Sequence, residues 1–243
     1  MMKKILLFTL LGSLFFAQQK KDIIYNEYPI GADFYEGGTV KFYKDIHDVI
    51  IKEKIESCQN KKELYKVNFI VYPDGKIKFV KDIDPLKIEQ NKCAFDLSRK
   101  TFKFLNGWNS AIVSGEKVAA MASVYIYPDD LFSNYREEYD ILYYFTPPVF
   151  AEGGKSFRNQ FAKNLNFRGV RFKQFIVNIA IHFDVDEAGK MTNFRMKPSS
   201  GDEEVDEMFI KAIKWIKGKW IPATIHGINI EATYKFPITL SEN

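Results

Sequence analysis

The chain has 243 residues, of which 46% are hydrophobic and 27% charged, a balance that excludes a disordered or low-complexity protein. Its length allows one large domain or two small ones. A net charge of +4, from 35 basic and 31 acidic residues, is too small for the clustered positive face of a nucleic-acid-binding protein.

The N-terminus has the pattern of a secretory signal peptide. Lys3 and Lys4 precede an apolar run from Ile5 to Ala17, and the polar residues that follow end it abruptly. A membrane anchor is the alternative, but at about 1.5 Å per residue the run covers roughly 20 Å, short of the roughly 30 Å hydrocarbon core. We therefore expect cleavage near Ala17, no stable membrane insertion, and a periplasmic mature protein beginning at Gln18.

The first half of the mature chain predicts a helix, a hairpin, a second helix and a final strand. Apolar residues at helical spacing indicate the helices, and alternation of apolar and polar residues indicates the strands. In chain order the predicted elements are Phe42 to Ile55, Val67 to Val71, Lys76 to Val80, a helix capped by Asn91 that runs to Phe104, and Val118 to Ile126.

The two cysteines, Cys58 and Cys93, are the only ones in the chain. In an exported protein an even pair is more often a disulfide than a redox or metal site. We predict a bridge from the end of the first helix to the start of the second, with two separate buried thiols as the alternative.

The second half of the chain repeats this order of elements, with clearer turn and helix-capping residues between them. A strand from Phe175 to Asp184, a turn, and a return strand from Met191 to Lys197 predict a hairpin. Ser200, three residues before Glu203, has the capping-box spacing of a helix that Gly218 ends. The cleanest alternation in the chain predicts a last strand, Ile228 to Leu240.

Matched landmarks recur along the chain at offsets of 110 to 116 residues. They include Glu36-Gly37-Gly38 with Glu152-Gly153-Gly154, Val67 to Val71 with Val177 to Ile181, and Trp108 with Trp220. We predict an α+β protein of two tandem units, residues 33–128 and 147–241, joined by a linker at 129–146. Each unit is expected to order helix, strand, strand, helix, strand, with two helices on one face of a three-stranded antiparallel sheet.

The segment from Pro148 to Leu240 resembles the TonB C-terminal domain, and residues 33–128 resemble a diverged second example. The resemblance implies two helices on a three-stranded sheet whose last strand lends its open edge to an extended peptide of an outer-membrane receptor. The matching residues are Pro148-Val149-Phe150, Glu152-Gly153-Gly154, Phe161, Asn164-Leu165, Phe183 to Met191, Ser199-Ser200-Gly201, Val205-Asp206, Trp220-Ile221-Pro222-Ala223, Gly227 and Tyr234 to Ile238.

The chain also departs from family members that transduce energy. Those members keep an uncleaved membrane helix and a long proline-rich spacer, whereas the nine prolines here are scattered and the apolar N-terminus is short. We therefore expect a periplasmic interaction module that binds extended segments of envelope or outer-membrane proteins. An energy transducer subunit is the alternative, followed by a secreted enzyme that uses a groove between the units.

The resemblance implies that the last strand of the second unit binds the partner. Ile230, Tyr234 and Phe236 would hold this edge against the helices. The opposite reading is that Lys235 and Pro237 block unwanted edge pairing. The residues expected to face the partner are Asn229, Glu231, Thr233 and Lys235.

The sequence carries no recognisable catalytic or metal-binding motif. It has no G-x-S-x-G elbow, and its three histidines show no metal-ligand spacing. Asp184-x-Asp186-x-x-Gly189 imitates the start of a calcium loop, but Arg195 stands where a bidentate glutamate is needed, so a hairpin turn is the better interpretation. We expect no enzymatic activity and no cofactor.

Overall fold

A computed structural model describes residues 23–29, 31–166, 168 and 179–238. The predicted signal peptide lies outside the described residues. The fold is α+β, as predicted, and the chain divides into two compact units between Phe132 and Ser133. Each unit is described by itself below.

The described residues of unit 1 form a five-stranded sheet and three α-helices. In chain order the elements are β1 (Ile24–Tyr25), α1 (Gly38–Lys52), β2 (Tyr65–Val71), β3 (Ile77–Phe79), α2 (Pro85–Gln90), α3 (Lys92–Phe102), β4 (Ala111–Val113), β5 (Glu116–Ile126) and a 3₁₀ turn (Pro128–Leu131). The sheet has the order β1-β5-β2-β3, and β4 pairs with the start of β5.

The core of unit 1 is aromatic. Phe102 of α3 contacts Phe42 of α1 and Phe69 of β2, with ring centroids 5.4 Å and 5.6 Å apart, and Trp108 packs on all three rings. Phe42 lies with Ile46 and Ile50 on the buried stripe of α1, at the spacing that faces one side of a helix. Burying each such side chain contributes about 1.5–3 kcal/mol.

Unit 1 has more elements than predicted, because β1 and β4 enlarge the expected three-stranded antiparallel sheet and β1 pairs in parallel. The short helix α2 was not predicted, although Asp84 caps it by accepting the Leu86 N–H at 3.0 Å and Pro85 starts it. Asn91 precedes α3 as predicted but does not cap it with its side chain, because its Oδ1 accepts the Leu64 N–H at 3.0 Å. Asn91 instead ties the helix junction to the chain just before β2.

The predicted disulfide is confirmed. Cys58 and Cys93 are bonded, with their Cα atoms 5.8 Å apart, and Cys58 is buried. Beside the bridge, the buried Glu63 carboxylate accepts the Ala94 N–H at 2.8 Å, which satisfies a donor in the first turn of α3. The bridge therefore holds the start of α3 to the loop that follows α1.

In the described part of unit 2 the elements are, in chain order, a 3₁₀ turn (Ile141–Tyr144), β6 (Phe145–Thr146), β7 (Val149–Phe150), α4 (Gly153–Asn164), β8 (Ile179–Val185), β9 (Met191–Met196), α5 (Glu203–Lys214), β10 (Trp220–Ile221), β11 (Ala223–Ile225), β12 (Ile228–Ile230) and β13 (Ala232–Ile238). Three of these strands form an antiparallel sheet of order β13-β8-β9. Two smaller sheets have the orders β12-β11-β6 and β10-β7.

The start and the end of α5 differ from expectation. Asp202, not Ser200, caps α5 by accepting the Glu204 N–H at 3.1 Å, and the helix ends at Lys214, before Gly218. Of the strand predicted from Phe175, residues 175–178 lie outside the described residues.

The predicted last strand, Ile228 to Leu240, is not continuous. It breaks at Glu231, so that β12 pairs with β11 while β13 pairs with β8. The alternation of faces continues across the break: Ile230 and Phe236 are buried, and Lys235 is exposed. Leu240 lies outside the described residues.

Candidate functional site

Strand β13 lies at one end of its sheet. It pairs with β8 along its whole length, from Ala232 opposite Val185 to Ile238 opposite Ile179. In the part of the chain that the structure describes, no strand pairs with the other side of β13. That side is therefore an open edge.

The register determines which backbone groups of β13 point to this edge. The Ala180 carbonyl accepts the Lys197 N–H at 2.9 Å, so the backbone of Ala180 faces β9 and not β13. Ala180 pairs with Pro237 of β13. Because the backbone groups of this pair point away from each other, the missing N–H of Pro237 costs the sheet no hydrogen bond. The direction of the backbone N–H and C=O groups alternates from residue to residue along an antiparallel strand. Tyr234 and Phe236 therefore form hydrogen bonds with β8, whereas Thr233 and Lys235 direct their N–H and C=O groups to the open edge.

Aromatic rings on the helix-facing side hold β13 in place. The Phe236 ring lies 5.2 Å from Phe157 and 5.0 Å from Phe161, both on α4. The Tyr234 ring lies 4.8 Å from Trp220. Edge-to-face contacts of this kind stabilise beyond their buried area and restrict the rings. The open edge is thus carried by a strand that is anchored to the core.

A polar cluster covers the other face of this edge. The Thr233 hydroxyl donates to Asp184 at 2.5 Å, Asn193 donates to Asp184 at 3.1 Å, and Arg195 forms a salt bridge with Asp184 at 3.2 Å. Arg195 also donates to the Thr233 hydroxyl at 3.2 Å. A register shift between His182 and Asp184 gives β9 an extra residue, which brings Asn193 and Arg195 to the same carboxylate.

The cluster keeps Asp184 ionised. Burial raises the pKa of this carboxyl, but hydrogen bonds from Thr233, Arg195 and Asn193 outweigh the burial and hold the pKa below its usual value. The side chain of Asp184 is only 13% exposed, so the negative charge is compensated inside the cluster and is not displayed to solvent.

The four residues predicted to face a partner do not share one strand. Thr233 and Lys235 lie on β13 with backbone groups at the open edge. Asn229 lies on β12, and its side chain donates to the Glu187 carbonyl at 3.1 Å, in the turn between β8 and β9. Glu231 lies exposed at the break between β12 and β13.

Sequence reasoning missed the cluster partners Asn193 and Arg195. Asp184 was placed at the end of the strand predicted from Phe175, but the bulge that brings Asn193 and Arg195 to it has no sequence signature. The neighbouring Asp186 serves the hairpin turn, because its carboxylate accepts the Ala188 and Lys190 N–H groups at 3.0 Å and 2.8 Å. This agrees with the turn interpretation of the calcium-like motif.

Unit 1 also contains an open cavity of about 750 Å³ beside the turn between β2 and β3. Trp108, Ser110 and Ile112 contribute to its lining, and no histidine does. Ser110 therefore has no imidazole base within the cavity wall, and the wall offers no serine–histidine pair for nucleophilic catalysis.

Among the described residues no helix is both long and apolar enough to cross a membrane. The same residues contain no group of three or more His, Cys, Asp or Glu side chains that could hold a metal ion. Comparison of the chain with known protein families, with curated proteins and with solved structures finds no match.

Proposed function

We propose that the chain is a periplasmic interaction module of the TonB C-terminal type. It binds an extended segment of an envelope or outer-membrane protein by adding that segment as a strand to the open edge of β13. The observation that carries the proposal is this edge, where Thr233 and Lys235 direct backbone donors and acceptors outward from a strand anchored by Phe236.

A partner strand would gain affinity from the backbone and specificity from side chains. Main-chain hydrogen bonds to Thr233 and Lys235 do not depend on the sequence of the partner. The exposed side chains of Glu231 and Lys235 add charge of both signs along the edge. Pro237 ends the run of donors, which limits the added strand to a short segment.

The internal registers support a tandem origin of the two units. In unit 1, β4 and β5 pair Ala111 with Val118, and in unit 2, β11 and β12 pair Ala223 with Ile230, a shift of 112 residues in both strands. Both hairpins turn through two residues of positive φ, which are Ser114-Gly115 and His226-Gly227.

The pairs β2–β5 and β8–β13 support the same origin. They also change one part of the repeat alignment, the match of Val67 to Val71 with Val177 to Ile181. Val71 pairs with Ala120 in unit 1, and Val185 pairs with Ala232 in unit 2. This register aligns β2 with β8 at a shift of 114 residues, and it matches Val67 with Ile181 instead of Val177. Val177 itself lies outside the described residues.

Two differences favour unit 2 as the binding copy. The pair that corresponds to Asp184 and Thr233 is Ile70 and Met121 in unit 1, so the polar cluster has no counterpart there. The edge of β5 is also occupied in part by β1.

Two features support export. The apolar run up to Ala17 has the signal-peptide pattern, and the Cys58–Cys93 bridge is typical of an oxidising compartment. N-terminal sequencing of protein from an envelope fraction should begin at Gln18. A membrane-bound product that retains Met1 would instead favour the energy transducer.

Affinity capture from the envelope fraction, followed by mass spectrometry, tests the binding proposal. Lys235→Pro removes one outward N–H and should abolish capture of the partner, whereas Lys235→Ala keeps that N–H and should retain it. Equal capture by both variants would exclude the edge of β13 as the binding surface, provided circular dichroism shows that both are folded.

A further inference from the structure

In unit 1, a short strand from the start of the described chain is added to the edge of the sheet. Ile24 and Tyr25 form β1, which pairs in parallel with Ala119 and Ala120 of β5. Ala119 is 2% exposed, whereas Ile24 is 42% and Tyr25 37% exposed. Ala120 is also fully buried, so the two strands meet on a covered stretch of β5, while the side chains of Ile24 and Tyr25 are covered only in part.

The register places β1 on the outer edge of β5. The Asn68 carbonyl accepts the Val80 N–H at 2.9 Å, so the backbone of Asn68 faces β3 and that of Phe69 faces β5. Phe69 pairs with Ala122, so residues of even number in β5 bond to β2. Ala119 therefore directs its backbone away from β2, toward β1.

The resident strand covers only a small part of this edge. β5 runs from Glu116 to Ile126, and β1 pairs with Ala119 and Ala120 alone. Within the described ranges, no other strand pairs with the outer side of β5. Ile23, which precedes β1, is 74% exposed. A strand of two residues with partly exposed side chains makes few contacts of its own, and the chain that follows it is anchored by Tyr28, which donates to the Asn109 carbonyl at 2.7 Å and so keeps the strand close to this edge.

We infer that the outer edge of β5 is a second strand-accepting site, selective for extended segments that carry adjacent large apolar residues and run parallel to β5. The segment Ile24–Tyr25 occupies this site in the structure, and its two large apolar side chains indicate which partner segments the site accepts. A partner segment with the same features, but with contacts that extend toward Ser123, displaces the occupant. The inference concerns unit 1 and does not depend on binding at β13.

The occupant can be released or locked in the full mature chain. The double variant Ile24→Pro/Tyr25→Pro removes both backbone donors of β1 and should open the edge. The double variant Ile24→Cys/Ala119→Cys should lock it, because neighbouring strands lie about 4.8 Å apart, within the range of Cα separations that disulfides span.

The probe is a fluorescent synthetic peptide with the sequence of residues 20–27, Lys-Lys-Asp-Ile-Ile-Tyr-Asn-Glu. Its control carries proline at the positions of Ile24 and Tyr25. Fluorescence anisotropy should show at least tenfold tighter binding to the released variant than to the intact chain. The locked variant and the control peptide should show no binding.

Two results would overturn the inference. One is a released variant that folds but binds the probe no better than the intact chain does. The other is a released variant that loses its cooperative unfolding transition, because β1 would then be a fixed part of unit 1. Lys235→Pro should leave binding of the probe unchanged. Failure at β5 and failure at β13 are therefore distinguishable.

Discussion

Thr233 and Asp184 face each other across the β13–β8 pair, and the Thr233 hydroxyl donates to the Asp184 carboxylate at 2.5 Å. Thr233 thus has two roles at one position. Its side chain completes a polar cluster on one face of the sheet, while its backbone is directed to the open edge. The side chain and the backbone can be tested separately because proline removes the N–H and valine removes only the hydroxyl.

Thr233→Val should lower the free energy of unfolding of unit 2 by about 1–2 kcal/mol, since it removes the hydrogen bond that the hydroxyl donates to Asp184 and the one that it accepts from Arg195. Thr233→Ser keeps the hydroxyl and should cost less. Urea unfolding measures both variants. A larger loss in Thr233→Ser than in Thr233→Val would mean that the Thr233 methyl group, and not its hydroxyl, stabilises this position.

The stabilisation that Asp184 provides should depend on pH. Its pKa is lowered in the folded protein, so the stabilisation is fully present above the unfolded value of about 3.9 and is lost as the pH falls through the lower folded pKa. The difference in unfolding free energy between the wild type and Asp184→Asn should therefore be constant near pH 7 and shrink below about pH 4. A constant difference down to pH 2 would contradict the lowered pKa.

The disulfide should stabilise unit 1 alone. Cys58 and Cys93 are 35 residues apart, and closing a loop of this length contributes about 3–4 kcal/mol in the chain-entropy model. In Cys58→Ala/Cys93→Ala, hydrogen exchange measured by mass spectrometry should speed up in α1 and α3. Unit 2 is the internal control, and faster exchange in both units would show that they do not unfold independently.

The spacing of apolar residues predicted the helices and strands whose faces are set by their own sequence, but it did not predict which distant strands pair. The alternation from Ile228 onward placed Phe236 and Lys235 on the correct faces, but the same alternation continues through Glu231 and could not reveal the break. The break depends on which distant strand each half pairs with. β1 shows the same limit, because Ile24–Tyr25 is too short for a period and its parallel partner lies far along the chain.

Gly189 should be intolerant of a side chain. Its φ is +80°, and a Cβ at this position would lie 2.2 Å from the Trp220 carbonyl oxygen. Gly227 is the matched control in the same unit, because its φ is +74° but a Cβ there would meet no atom within 4 Å. Gly227→Ala should cost about 1–2 kcal/mol from backbone strain alone, and Gly189→Ala clearly more. Similar losses in urea unfolding would argue against the close approach of the β8–β9 turn to β10.

The direction of the backbone along β13 gives the sharpest test of the candidate site. Tyr234 bonds to β8 and Lys235 faces the open edge, so proline at the two neighbouring positions should have opposite consequences. Tyr234→Pro removes a ladder bond inside the sheet and should cost about 3 kcal/mol or more, whereas Lys235→Pro removes a donor that none of the described strands uses and should cost far less. Tyr234→Ala and Lys235→Ala measure the cost of losing each side chain. This cost is subtracted from that of the proline variant at the same position, which leaves the cost of losing the N–H. Urea unfolding followed by circular dichroism reads out all four variants. If Lys235→Pro is as destabilising as Tyr234→Pro after this subtraction, the open edge does not present the Lys235 N–H, and the edge cannot bind a strand in the proposed way.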